Sequence, residues 1–176
     1  MICLDLKDIL DTAELIRTIV YLFYLKEKNM EPQKFAIQKK VYLADTDVTG
    51  IAYYAKHLEW LEMARVEWIS AIYKPLTRMI EEDGISFMPI HVNITYKAPA
   101  LFEDLLTVKV GIKEIDKIKL LLGYEITKMV EAKEVLVAEA DITMLCVNIA
   151  KGNRPAKIPP FLLEVFEKSE KETNEV

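Results

Sequence analysis

Two aspartates, Asp45 and Asp47, stand with one residue between them at the end of an apolar run, and Gly50 follows three residues later. Beyond Gly50, apolar residues recur every three or four positions, at Leu58, Leu61, Ala64, Trp68 and Ile72. That is the spacing of a helix with one buried face. A strand thus hands a pair of acids to a turn, and the turn feeds a helix. The first N–H groups of a helix have no partner inside it, and the helix dipole favours negative charge there. A carbonyl oxygen gaining charge during acyl transfer would be stabilised by such a donor, by about 3–4 kcal/mol. A carboxylate opposite could attack the carbonyl carbon or activate water. With a good leaving group, such as a thiolate, the chemistry needs little else.

Paired acids also invite metals. Asp45 to Gly50 matches the opening of an EF-hand calcium loop, with ligands at its first, third and fifth positions and glycine at its sixth. The twelfth position must supply a bidentate glutamate, and here it is Lys56. The same residues resemble the D-x-D-x-T nucleophile motif of haloacid-dehalogenase-type phosphatases, where magnesium neutralises the phosphoryl charge. That fold needs a parallel sheet wound with helices and a later acidic pair at a strand end. The rest of this sequence supports neither, so the expected site uses no metal and no cofactor.

The elements that must hold the turn follow from periodicity. Phe35 to Ala44 reads as a first strand, and the long helix runs from about Tyr54 to Tyr73. A short helical piece, Leu76 to Glu82, stops at Asp83-Gly84. After Gly84 the period becomes two. Ile90 to Tyr96, Leu106 to Ile112, Leu120 to Ile126 and Leu136 to Cys146 each alternate apolar with polar residues, the mark of strands with one buried face. Their short connections suit antiparallel neighbours. A terminal helix, Pro160 to Lys168, follows, and residues 169–176 form a charged tail. The fold class is α+β: one long helix packed on a five-stranded antiparallel sheet.

Bulk properties narrow the partners. The chain has 176 residues and a formal charge of -5, which leaves no general footprint for nucleic acid. Cys3 and Cys146 are too few and too far apart for a disulfide framework or a metal site, so a reducing, cytoplasmic setting is expected. Residues 1–34 carry Leu6, Ile9, Leu10, Ala13, Ile16, Ile19, Val20 and Phe23 at helical spacing. Their longest uncharged run, Thr18 to Leu25, is far short of the roughly 20 residues needed to cross a bilayer. Acids dominate their start and no basic region precedes the apolar run, so a signal peptide is not expected. They read as an amphipathic helical extension that docks on the body or on a partner.

The stretch from Tyr42 to Glu67, Y-x-x-D-T-D-x-x-G-I-x-Y-Y-A-x-x-L-x-W-L-E-x-A-R-x-E, resembles the signature of the 4-hydroxybenzoyl-CoA thioesterase family, including its Tol-Pal-associated acyl-CoA thioesterases. A second block from Asn93 to Val108, N-I-T-Y-K-A-P-A-L-F-E-D-L-L-T-V, resembles that family's Y-x-x-P-A-x-x-x-D-x-L-x-V segment. The resemblance implies a hot-dog fold over residues 35–168 and hydrolysis of an acyl-CoA to free acid and CoA. It places Asp47 at the family's catalytic carboxylate, as nucleophile or general base. It places Tyr54 where a backbone N–H at the helix start polarises the thioester carbonyl. Asp45 shapes the turn, and Gly50 lets the backbone bend close to substrate. There are departures: Tyr54 replaces a histidine found in many members, and His57 stands where tyrosine is common. Some members place a basic cluster for the CoA phosphates where this chain has Glu114 to Lys119; Asp116 interrupts it, leaving Lys117 as the substrate-binding candidate. The resemblance further implies a homo-oligomer, dimer or tetramer, with sites built between subunits.

Other candidates have plainer readings. His57 near the helix start orients substrate or Asp47, or serves as a structural contact. Glu62 and Arg65, three apart, pair along the helix, although some related enzymes carry a catalytic acid on it. His91 reads as surface. Met79, Phe87 and Met88 either line an acyl pocket or belong to the core. A non-catalytic acyl-CoA or acyl-carrier binding protein of the same fold is the alternative function.

Overall fold

The alternating segments assemble into one antiparallel sheet. The structure, a computed structural model, describes residues 35–174, so the helix expected over residues 1–34 lies outside the described residues. In chain order the elements are β1 (Phe35–Lys40), α1 (Lys56–Ile72), α2 (Leu76–Asp83), β2 (Ile85–Tyr96), β3 (Leu105–Ile115), β4 (Lys119–Val130), β5 (Lys133–Asn148), β6 (Arg154–Pro155) and α3 (Pro160–Asn174). The strand order is β1-β3-β4-β5-β2, with the two-residue β6 added to β5. All pairings are antiparallel.

The core lies between the sheet and α1. Leu106, Val108 and Val110 of β3, Leu120, Leu122 and Ile126 of β4, and Ala138, Ile142, Met144 and Cys146 of β5 are buried on one face. From α1, Trp60, Leu61, Ala64, Trp68 and Ile69 are buried against them. Each large apolar side chain so covered contributes about 1.5–3 kcal/mol. Phe166 of α3 stacks on Trp68 at 5.8 Å and meets Phe87 of β2 edge-on at 5.7 Å, which ties the last helix to the first. A curled five-stranded sheet around one long helix is the hot-dog arrangement expected from the sequence.

Several boundaries differ, each for a local reason. β1 ends at Lys40 rather than Ala44, because a 3-10 turn, Leu43–Asp45, takes over once Asp45 accepts the Tyr42 N–H. α1 starts at Lys56, and Leu58, counted on its apolar stripe, is exposed. α2 stops where Gly84 adopts φ +67° and donates to the Ile80 carbonyl, a left-handed cap that glycine takes without steric cost. α3 runs to Asn174, past the expected Lys168.

The larger correction concerns β2. Its alternating apolar residues were expected to be buried, yet Ile90, Val92 and Tyr96 are 51%, 41% and 45% exposed. β2 is a sheet edge, paired with β5 on one side only. α1 packs over β1 and β3 instead, so the outer half of β2 is left exposed among the described residues. The edge position also explains how Pro89, which lacks an N–H, sits in this strand beside a bulge between Pro89 and His91.

Candidate active site

The acidic turn is a small hairpin buttressed by a second loop. Thr46 and Ala52 form an antiparallel bridge, Asp47 N–H donates to Ile51 O at 2.9 Å, and Gly50 N–H donates to Asp47 O at 3.1 Å. Gly50 has φ +77°, and a Cβ there would meet nothing within 4 Å. Within one chain, the backbone torsion rather than a tight neighbour calls for glycine. The loop from Pro99 to Asp104 locks onto this hairpin: Ala52 N–H donates to Ala100 O at 2.8 Å, and Ile51 bridges Leu101. Asp104 Oδ2 holds that loop by accepting Leu101 N–H at 2.8 Å and Lys128 Nζ at 2.6 Å. The second sequence block therefore props the first.

The two acids face different surroundings. Asp45 is buried, and its Oδ2 accepts Lys39 Nζ at 2.8 Å and Tyr42 N–H at 2.9 Å. Burial alone would raise its carboxyl, but the Lys39 ammonium and the Tyr42 N–H together hold it below the ordinary value. Lys39 itself lies 4.6 Å from the Tyr42 ring centre and 5.9 Å from that of Trp60. Asp47 is exposed. Its Oδ1 accepts the hydroxyl of Thr49 and, at 2.7 Å, the Thr49 N–H. These donors, the hydroxyl foremost, hold the Asp47 carboxyl below its ordinary value, so it is ionised at neutral pH. A carboxylate clamped by a lysine next to one clamped by its own turn is a poor start for a metal site. Among the described residues no group of three or more His, Cys, Asp or Glu could hold a metal ion.

The start of α1 carries the complementary group. The Tyr54 side chain is exposed, and its N–H donates to no acceptor among the described residues. The Tyr54 carbonyl accepts the Tyr96 hydroxyl at 3.1 Å and His57 Nδ1 at 3.2 Å. His57 is buried, with Trp60 at 4.8 Å and Tyr96 edge-on at 5.0 Å. Burial lowers its pKa and keeps the ring neutral, and the bond to a carbonyl puts the proton on Nδ1. Beside these groups opens a cavity of about 320 Å³, lined by Tyr54, His57 and Tyr96 together with Ile51, Ala52 and residues 97–100. Among the described residues its lining contains no carboxylate.

Of the residues singled out in the sequence, Gly50 and Asp47 share the hairpin, while Tyr54 and His57 share the cavity wall. Lys117 is elsewhere. The acidic turn adjoins the Leu105 end of β3, through the Lys40–Leu105 pair, while Lys117 follows the Ile115 end. A strand of that length spans roughly 35 Å, so one chain does not bring Lys117 to the turn. Met79 and Phe87 belong to the core and line no part of this cavity. Glu62 is solvent-exposed and lies 3.6 Å from Arg65. Tyr96 is the site residue that sequence reasoning missed. It opens the Y-x-x-P motif, but its alternation with polar neighbours read only as a strand face.

The comparisons with known proteins place this geometry. The sequence pattern of the thioesterase-like superfamily matches residues 41–166. An acyl-CoA thioesterase, YbgC, from Haemophilus influenzae is 26% identical over 132 residues, covering 75% of this chain and 93% of that protein. A 1,4-dihydroxy-2-naphthoyl-CoA hydrolase from Synechocystis is 28% identical over 127 residues, covering 72% and 91%. Among solved structures, 4-hydroxybenzoyl-CoA thioesterase from a Pseudomonas species superposes with a TM-score of 0.70 at 20% identity, covering 76% and 99%, a likeness of fold. The superfamily match spans the acidic turn, α1, α2, strands β2 to β6 and the packed part of α3, most of the described residues. The chain therefore belongs to the thioesterase-like superfamily.

Proposed function

We propose that this protein hydrolyses acyl-CoA thioesters to free acid and CoA, with the Asp47 carboxylate as nucleophile or general base and the Tyr54 N–H polarising the thioester carbonyl. The observation that carries this reading is the Tyr54 N–H at the start of α1, without an acceptor among the described residues, on a residue that lines the cavity. A donor held in place before the reaction stabilises the oxyanion without having to reorganise. The similarity to acyl-CoA thioesterases supports the substrate class. Asp47, ionised and exposed, meets the needs of either role. Attack by its oxygen on the carbonyl carbon would give a mixed anhydride and CoA thiolate, and water would then release the acid. Acting as a base, it would take a proton from water as that water attacks.

Among the described residues the cavity lining lacks a carboxylate, which supports a site completed by a second copy. In this reading Asp47 of one subunit faces the Tyr54 N–H of its partner, and the uncovered edge of β2 supplies the surface for sheet-to-sheet pairing. A homodimer is the minimum assembly and a tetramer its doubling; a monomeric mass by light scattering at micromolar protein would refute this. The described Cys146 is a free, buried thiol, as a reducing cytoplasm allows. No helix among the described residues is long and apolar enough to cross a membrane.

The test is release of thiol from a panel of aliphatic and aromatic acyl-CoAs. Turnover that is unaffected by chelator is expected. Tight binding of acyl-CoA with no CoA release would replace this reading by that of a binding protein, and dependence on magnesium would replace it by the phosphatase.

A further inference from the structure

The helix ladder passes over the Tyr54 carbonyl. Leu58 N–H, four residues on and its ordinary partner in an α-helix, donates instead to Ala55 O at 3.1 Å, and Lys56 N–H donates to Tyr53 O at 2.9 Å. The released carbonyl is taken up by side chains, the Tyr96 hydroxyl at 3.1 Å and His57 Nδ1 at 3.2 Å. A carbonyl oxygen has two lone pairs, so these two donors complete it. One comes from the first turn of α1 and the other from β2, 42 residues away. Their rings are fixed in turn: His57 sits against Tyr96 edge-on at 5.0 Å and against Trp60 at 4.8 Å, and Trp60 is buried in the core.

This arrangement anchors both peptide planes that meet at the Tyr54 Cα. The plane carrying the Tyr54 N–H is held through its carbonyl, Tyr53 O, by Lys56 N–H. The following plane is held by Tyr96 and His57. If the second anchor is loosened, the torsions at Tyr54 can relax and the N–H no longer points at a fixed spot. We propose that Tyr96 and His57 are positioning residues that aim the Tyr54 N–H at the thioester carbonyl by clamping the Tyr54 carbonyl from two directions. This rests on the reading of the Tyr54 N–H as the polarising donor. Neither side chain need touch the reacting atoms.

Tyr96→Phe isolates the clamp, because it keeps the ring and its contact with His57 and removes only the hydroxyl from a half-exposed residue. Misaiming a donor costs less than deleting it, so kcat should fall about 10- to 100-fold. KM should stay within about threefold, because ground-state binding is not the target. The separating readout is the carbonyl stretch of a bound acyl-CoA carrying 13C at its carbonyl, with the acyl group that the wild type turns over fastest. It is measured on Asp47→Asn, which leaves the thioester intact. A band lowered on binding to Asp47→Asn and shifted back toward the free value in Asp47→Asn/Tyr96→Phe supports the clamp. A lowered band that is unchanged in the double variant overturns the clamp and leaves the Tyr54 donor standing. No lowering in Asp47→Asn removes the donor reading itself and the clamp with it. A Tyr96→Phe enzyme with wild-type kcat, or one that loses thermal stability and KM together with kcat, also overturns the proposal.

Discussion

Asp45 and Asp47 are two residues apart, yet Asp45 is buried against Lys39 while Asp47 stands in solvent with its own turn supplying its hydrogen bonds. The upstream half of the motif, from Lys39 to Asp45, is closed: every charge is paired and the backbone carbonyl of Asp45 takes the Tyr53 N–H. The downstream half, from Asp47 to Tyr54, is open, with an exposed carboxylate, a glycine at positive φ and an N–H without an acceptor among the described residues. Identical side chains thus differ in what they leave accessible, and the proposed mechanism uses the exposed one. A carboxylate whose charge is already matched inside the fold has little left to offer a substrate. One held ionised by its own turn and still exposed remains accessible to a substrate.

That contrast can be broken in four places. The largest effect belongs to Asp47→Asn, which should stay folded and lose about 10²–10⁴-fold in kcat with a smaller change in KM; near-normal turnover on a good thioester would remove Asp47 from the chemistry. Next comes the β2 edge, which the proposed assembly uses to close the open half. Val92→Asp should convert the oligomer to monomers by light scattering and lower activity at least about tenfold, since a pair of unmatched charges cannot be buried between edges. A dimer that survives this change would move the interface off β2.

Asp45→Asn should show the opposite profile to Asp47→Asn. Breaking a largely buried ion pair leaves Lys39 uncompensated and costs about 3–5 kcal/mol, on the order of 10 °C in Tm for a chain this size, while turnover per folded molecule is retained. The pH dependence follows with a definite sign. Because the folded pKa of Asp45 lies below the ordinary 3.8, its contribution is fully present above that value. It is lost as pH falls through the lower folded value. The stability gap between wild type and Asp45→Asn should therefore close in acid, as urea titrations below pH 4 would register. The smallest effect is expected at Gly50. Gly50→Ala forces a Cβ into φ +77° with open space around it, a strain of about 1 kcal/mol. A loss of kcat/KM larger than a few degrees of Tm would account for would show substrate approaching the backbone there.

Most of the fold was legible because local periodicity reports it directly. The period-two segments became β3, β4 and β5, and the 3.6-residue stripe became α1, with Gly84 stopping α2 as expected. β2 shows the boundary of that logic. Alternation at Ile90, Val92, Ile94 and Tyr96 states which residues share a face, and it cannot state whether anything covers the face. The site divides in the same way. Asp47 and Tyr54 lie within one contiguous motif and could be named from it. Tyr96 could not, because its role is a hydrogen bond to a carbonyl 42 positions away. Lys117 illustrates the converse: a plausible cation by local sequence, it is carried by β3 to the far end of the sheet from the acidic turn.

By itself the sequence determined the order and type of the elements, the acidic turn, and the two motif blocks that carry the family likeness. All of these depend on spacing within about 25 residues, where backbone torsion and side-chain period act. Only the tertiary structure decided that Asp45 would be neutralised by Lys39 and Asp47 left exposed, that the Tyr54 carbonyl would accept a hydrogen bond from β2, and that β2 would form a sheet edge among the described residues. Those outcomes depend on burial and on partners brought together by the sheet's β1-β3-β4-β5-β2 order. The free energy of a charge or a donor is set by its surroundings in space, and neighbours in sequence supply only part of them.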